Sequence, residues 1–190
     1  MKKSFVTIIV SALVGLFSAC SGSDNAVVQT EDHAGHMHAA GQSTPAQASA
    51  ALAPTQGNNV QGNVTFRQEE DGGVRIIAEI SGLTPGSHGF HVHEKGDCSA
   101  PDASSAGGHF NPHQTEHGKA GEGAHHAGDL PSLEADAAGN ATIDVVLYGL
   151  EITGDNGIVG RGLIVHADPD DYISQPTGNS GVRVACAVIQ

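Results

Sequence analysis

Six histidines and one aspartate between His91 and His166 are the residues of this chain best suited to chemistry. They read His91-Val92-His93, then His109, His117, His126-Ala127-Gly128-Asp129 and finally His166. Imidazole suits copper and zinc, and a carboxylate oxygen is an acceptable zinc ligand. Four imidazoles could hold one metal ion, and imidazoles with the carboxylate a second. Seven groups serve two adjacent four-coordinate ions only if one ligand is shared. The set points to redox metal chemistry rather than to a plain globular domain.

These side chains need elements to aim them. His91 and His93 stand at i and i+2, which in a strand leave the same face, with Val92 turned into the core. A lone His-x-His is more often structural than a ligand pair. His109, His117 and His126 follow at spacings of 8 and 9 in a glycine-rich stretch that can fold around an ion. His166 ends the apolar run Leu163-Ile164-Val165, so its imidazole emerges from a rigid element. Candidate strands are Ala48–Pro54, Asn59–Gln68, Gly73–Ser81, His88–His93, Ala141–Leu147, Gly160–His166 and Gly181–Ile189. Alternation is imperfect over Val74–Ile80. It is clean at the end of the chain, where Val182, Val184, Cys186 and Val188 share a face. No segment sustains a helical period for three turns. Residues 94–139 and 167–180 carry no strand signal and read as long functional loops, because both begin at or contain the proposed ligands.

Composition supports an all-β domain. Glycine is abundant at 26 of 190 residues, tryptophan is absent, and 38% of the chain is hydrophobic. The formal charge is −13, and removal of a leader carrying Lys2 and Lys3 makes it −15. Nucleic acid and anionic membrane headgroups are therefore poor partners. An anionic substrate would be repelled by the whole and would need local cations to guide it.

Residues 1–20 have the shape of an export signal: Lys2 and Lys3, then an apolar run from Phe5 to Phe17, too short to span a bilayer. The ending Phe17-Ser18-Ala19-Cys20 resembles a bacterial lipoprotein signal, with cleavage before Cys20 and lipidation of its thiol. Ordinary cleavage near Ala19 with a free Cys20 is the alternative. By resemblance to lipoprotein sorting rules, Ser21 favours the outer membrane, which places the protein in the periplasm on a lipid anchor. With Cys20 lipidated, Cys98 and Cys186 remain as an even pair in an oxidising compartment, where a disulfide persists. Residues 20–47 read as a flexible tether. Within it His33, His36, Met37 and His38 form either a copper- or zinc-capture segment or incidental solvated residues.

The stretch Gly89-Phe90-His91-Val92-His93-Glu94-Lys95-Gly96-Asp97-Cys98 resembles a copper-zinc superoxide dismutase signature. So do Ser105-Ala106-Gly107-Gly108-His109-Phe110-Asn111-Pro112, Asp129-Leu130-Pro131 and the run from Gly178 to Cys186. Cys98 directly after Gly96-Asp97 is similar to the bacterial branch. The resemblance covers roughly residues 48–190 and implies a Greek-key β-sandwich or flattened barrel of immunoglobulin-like type with two long functional loops.

What it implies for the site is specific. Copper would be held by His91, His93, His109 and His166. Zinc would be held by His109, His117, His126 and Asp129, with His109 shared. Asp170 would link the copper and zinc histidines from behind, Arg183 would dock the anionic substrate, and Cys98–Cys186 would be the intrasubunit disulfide. His88 would be a structural histidine in the strand of the copper pair. Superoxide is the implied substrate, disproportionated to dioxygen and hydrogen peroxide. Beside this, His125 competes with His126, and Asp168 or Asp171 with Asp170; His113 reads as solvated. A copper-delivery lipoprotein, a zinc hydrolase and an adhesive module are the competing functions, and the sequence leaves monomer and homodimer open. The second loop holds Asp168, Asp170 and Asp171 but no lysine, so Lys95 or Lys119 is expected to supply the steering field.

Overall fold

The computed structural model describes residues 44–190. The leader, Cys20 and the His33, His36 and His38 segment lie outside the described residues. The strands are β1 (Gln47–Pro54), β2 (Gln61–Gln68), β3 (Val74–Ser81), β4 (Gly86–His88), β5 (Phe90–His93), β6 (Leu133–Ala135), β7 (Ala141–Leu147), β8 (Gly162–His166) and β9 (Arg183–Val188). The described residues contain no α-helix, only one short 3₁₀ turn at Ser104–Ala106.

Strand β3 shows why this sequence makes sheets. Val74, Ile76, Ala78 and Ile80 are buried, while Ile77 and Glu79 are exposed. A period of two puts one face on the core and the other in water. The pattern looks imperfect in the sequence because Ile77 is an apolar residue on the outer face.

The main sheet has the order β5-β8-β9-β1-β2-β3-β7, with each strand antiparallel to its neighbours. The chain crosses from β3 to β5 at the far edge, returns to β7 beside β3, and crosses again to β8 beside β5. Such crossings are Greek-key connections. Strand β1 joins the two halves at its end, where Ala53 and Pro54 pair with Cys186 and Ala185. The sheet curls so that Phe66, Ile76, Phe90, Leu130, Leu133, Leu163 and Ile189 fill one core between the halves. The all-β sandwich expected from composition and resemblance is the fold observed.

Three details differ from the sequence reading. First, His88–His93 is not one strand. It breaks at Gly89, where a Cβ would collide with the Ser180 side chain and crowd His91. His88 therefore belongs to β4, not to the strand of His91 and His93, and its Nδ1 meets the His166 carbonyl at 2.8 Å. Second, the 94–139 stretch contains β6, which pairs with β4. Three residues are too few to show a period. Third, Val182 does not share the buried face of β9. It is 69% exposed, and Val184, Ala185, Cys186 and Ala187 are all buried. One side of β9 meets the main core through Ala185 and Ala187; Cys186 joins Ala103, Ala106 and Ile164 under the loop that follows β5. Burial on both sides erases the expected alternation.

Candidate metal centre

His91 and His93 sit on β5 and His166 ends β8, the neighbouring strand. The outer edge of β5 is covered by its own loops. Val92 N–H donates to Gly128 O, Phe110 N–H donates to Val92 O, and bridges join His93 to His109 and His91 to Asp129. Gly128 permits this close approach, since a Cβ there would strike the Val92 carbonyl. The loop residues are thus laid against the strand that carries the first histidine pair.

Two clusters result. The side chains of His91, His93, His109 and His166 offer nitrogens within 4.8 Å of one another, and the nitrogens of His109, His117 and His126 lie equally close to one another and to a carboxylate oxygen of Asp129. All seven residues are buried. His109 belongs to both clusters.

The hydrogen bonds fix which nitrogen each ring presents. His91 Nε2 faces Asp170 Oδ2 at 2.6 Å, His93 Nδ1 faces Gly107 O at 2.9 Å, and His166 Nδ1 faces Gly181 O at 3.3 Å. Each of these nitrogens donates to an oxygen, so the opposite nitrogen keeps its lone pair. Those opposite atoms, His91 Nδ1, His93 Nε2 and His166 Nε2, are buried and have no hydrogen-bond partner; His109 Nε2 is the fourth. Unsatisfied buried polar atoms are rare and mark an ion or a strained site. Four of them converging fit a copper ion taking four imidazoles.

The second cluster is built around Asp129. Its Oδ1 lies 3.0 Å from His109 Nδ1 and from His117 Nδ1, and 3.5 Å from His126 Nδ1. Its Oδ2 accepts from the backbone N–H groups of His126 and Gly118. One carboxylate and three imidazoles, closely packed and closed to solvent, match the donor set and coordination number of zinc.

Charge follows geometry. Burial holds His91, His93 and His166 far below the usual imidazole range, to about 4, 2 and 3. Neutral rings are what a metal requires. Burial works the same way on His117, but the Asp129 and Asp170 carboxylates outweigh it and raise that ring to about 9. Burial pushes Asp129 and Asp170 up, and their histidine hydrogen bonds more than reverse this and keep both carboxylates ionised.

Asp170 spans the clusters, with Oδ2 on His91 and Oδ1 on His117 Nε2 at 2.9 Å. Its neighbours do other work. Asp171 accepts from the backbone of Ile173 and Ser174, and Asp168 packs against Gly181. His125 points its Nδ1 at the His126 carbonyl and His113 is exposed, so neither enters a cluster.

Arg183 is aimed by a bulge. Val165 pairs with Ala185, but His166 pairs with Arg183, so β9 carries one extra residue there. The shift moves the guanidinium onto the face of His166. Its Nη1 donates to Ala103 O and its Nη2 to Gly107 O, each at 2.6 Å. Cys98 and Cys186 form a disulfide that ties the loop holding those carbonyls to β9. The sequence carried no sign of the Ala103 and Gly107 carbonyls, or of Gln175, whose amide contacts His117.

Comparison with known proteins agrees with this chemistry. The family model described as copper/zinc superoxide dismutase (SODC) matches residues 60–189. A superoxide dismutase [Cu-Zn] of Onchocerca volvulus is 40% identical over 149 residues, spanning 73% of this chain and 94% of the relative. Among solved structures, a crystal structure of the clock protein EA4 is similar, with a TM-score of 0.70 and 42% identity, over 78% of this chain and 96% of that one. Copper-side and zinc-side donor sets meeting at one histidine, on this sandwich and with these relatives, lead to one conclusion: the chain belongs to the copper/zinc superoxide dismutase family.

Proposed function

We propose that copper is held by His91, His93, His109 and His166, that zinc is held by His109, His117, His126 and Asp129, and that superoxide disproportionates at the copper side. The observation that carries this reading is His109, whose Nδ1 faces Asp129 while its unpartnered Nε2 faces the other three histidines. In the reaction two superoxide ions and two protons give dioxygen and hydrogen peroxide. Copper, when bound, supplies the one-electron couple that links the two halves.

The chain's own residues handle the anion and the protons. Arg183 presents a cation beside His166 where an anion docks, and its two carbonyl partners hold the guanidinium in place. His109 Nε2 is the atom placed to take a proton in one half of the cycle and return it to the second superoxide. Asp170 takes the Nε2 side of both His91 and His117, which turns each ring's Nδ1 towards its own metal cluster. All seven groups are buried, so their partners within the fold set the orientation of each ring and of the carboxylate.

We further propose that the protein is an exported bacterial lipoprotein, anchored through Cys20 in the periplasm, with the outer membrane favoured. The support is the leader's charge and apolar run together with the placement of Cys20. No helix among the described residues is long and apolar enough to cross a membrane.

Superoxide loss catalysed by the copper- and zinc-loaded protein, beside a copper-free control, tests the activity. Fast copper-dependent loss is expected. Tight copper binding without turnover would instead make the protein a copper carrier built on a dismutase sandwich.

A further inference from the structure

His117 is the least supported member of the two clusters. His91, His93 and His166 lie on strands, and His109 is bridged to His93. His126 and Asp129 brace each other, with Asp129 N–H on His126 O and His126 N–H on Asp129 Oδ2. His117 lies in irregular backbone, and its own N–H and C=O make no main-chain hydrogen bond among the described residues.

One side chain takes both of those groups. Gln175 Oε1 accepts from the His117 N–H at 2.8 Å, and Gln175 Nε2 donates to the His117 carbonyl at 3.0 Å. The amide imitates the pair of bonds that a neighbouring strand would make. Two bonds from one planar group to one residue fix the turn of that residue's backbone, and so the direction of its Cα–Cβ bond. The amide is itself steadied by a third contact, from Nε2 to Ile173 O at 3.3 Å. The same loop reaches the zinc side at two other points. Asp170 contacts His117 Nε2, and the Tyr172 and Ser132 hydroxyls are 2.6 Å apart.

We propose that Gln175 is a positioning residue for zinc: its amide holds the His117 backbone so that Nδ1 faces the group formed with His109, His126 and Asp129. The proposal rests on the assignment of His117 to zinc. Gln175 gives this ligand, from the second loop, the rigidity that strands give the copper-side histidines. Partners that orient a ligand typically matter about 10- to 100-fold in metal affinity. Gln175 is exposed and orients the backbone rather than the ring, so the lower end applies.

The test uses the disulfide-bonded protein with Gln175→Met, which keeps the length but loses every hydrogen bond, and Gln175→Ala. The side chain is exposed, so neither change opens a cavity. Zinc affinity is measured against a chromophoric chelator in copper-free protein, and copper affinity in zinc-free protein. The visible spectrum of cobalt(II) placed on the zinc side reports ligand geometry. Zinc weakened about tenfold, copper unchanged and an altered cobalt spectrum are expected for both variants. Unchanged zinc affinity and an unchanged cobalt spectrum would overturn the proposal. So would equal weakening of both metals with a lower unfolding midpoint of the metal-free protein, since that marks a general loop brace. His117→Ala run alongside must lose zinc; if it does not, the ligand assignment fails, and the role of Gln175 with it.

Discussion

His93 and Arg183 donate to the same oxygen. The Gly107 carbonyl lies 2.9 Å from His93 Nδ1 and 2.6 Å from Arg183 Nη2. One peptide group therefore sets the tautomer of a copper-side histidine and the position of the cation proposed to dock the anion. Replacing Arg183 by Gln removes the docking charge while leaving the four copper-side imidazoles. A charged hydrogen bond to substrate is worth about 1.5–3 kcal/mol, so kcat/KM should fall about 10- to 100-fold at undiminished copper content. Arg183→Lys should recover part of this, because it keeps the charge but not the two-carbonyl fork. Steady-state kinetics beside metal analysis decides it; an unchanged rate would remove Arg183 from the reaction.

Lysine steering is expected to come from Lys95. Lys119 Nζ is 2.7 Å from Glu122 Oε1, which cancels its field at a distance. Lys95 forms no ion pair among the described residues and follows His93 by two positions. Lys95→Gln should slow superoxide loss at low salt and flatten its dependence on ionic strength. Lys119→Gln should do neither. The opposite ranking would move the steering role to Lys119.

The disulfide should act on stability and on Arg183 together. Cys186 packs with Ala103, whose carbonyl holds the guanidinium, and the bridge closes a separation of 88 residues. Cys98→Ser should cost about 2–5 kcal/mol of stability. It should also lower kcat/KM in protein that is still folded and copper-loaded. Denaturant titration and kinetics at a temperature where the variant is native separate the two effects.

Gly178 is expected to tolerate no side chain. Its φ is +62°, and a Cβ there would collide with Asp170 Oδ1 and His117 Nε2, the two atoms of the bond that spans the clusters. Gly178→Ala combines left-handed strain of about 1–3 kcal/mol with displacement of that bond. Lower zinc retention and a lower Tm should follow. Asn179, also at positive φ, is exposed where Gly178 is buried, so Asn179→Gly should leave zinc retention intact.

Metal-free protein should lose stability as pH falls from about 6.5 towards 4. Burial keeps His91, His93 and His166 below the imidazole range in the folded state, to about 4, 2 and 3. The unfolded chain takes up protons there that the folded chain refuses, so the contribution is complete above the unfolded value and declines beneath it. Three such groups give a slope of at most about 4 kcal/mol per pH unit. His117, raised to about 9, works the other way: its contribution is complete below the unfolded value and fades as pH rises through about 9. Urea midpoints of the metal-free protein from pH 7 to 5 measure the balance, and a flat profile would contradict it.

Much of this protein is legible in one dimension. The i, i+2 spacing of His91 and His93 needs only a strand to put both rings on one face, and strand alternation is a local property. Glycine-rich spacing, the apolar run before His166 and the Cys98–Cys186 pair are likewise visible as residue types at positions. Other features depend on partners distant in the chain. The break at Gly89 exists because Ser180 and His91 crowd it, and β6 exists because β4 lies beside it. Val182 faces water because a bulge, fixed by the pairing of β8 with β9, turns Arg183 towards His166. The carbonyls of Ala103 and Gly107 and the amide of Gln175 carry no sequence mark at all, since any residue has a carbonyl and a glutamine on a loop is ordinarily solvated. The sequence determined which atoms can bind metal, because ligand chemistry belongs to the side chain. Tertiary structure decided which nitrogen of each ring stays free, because that depends on the oxygen the fold places against the other one.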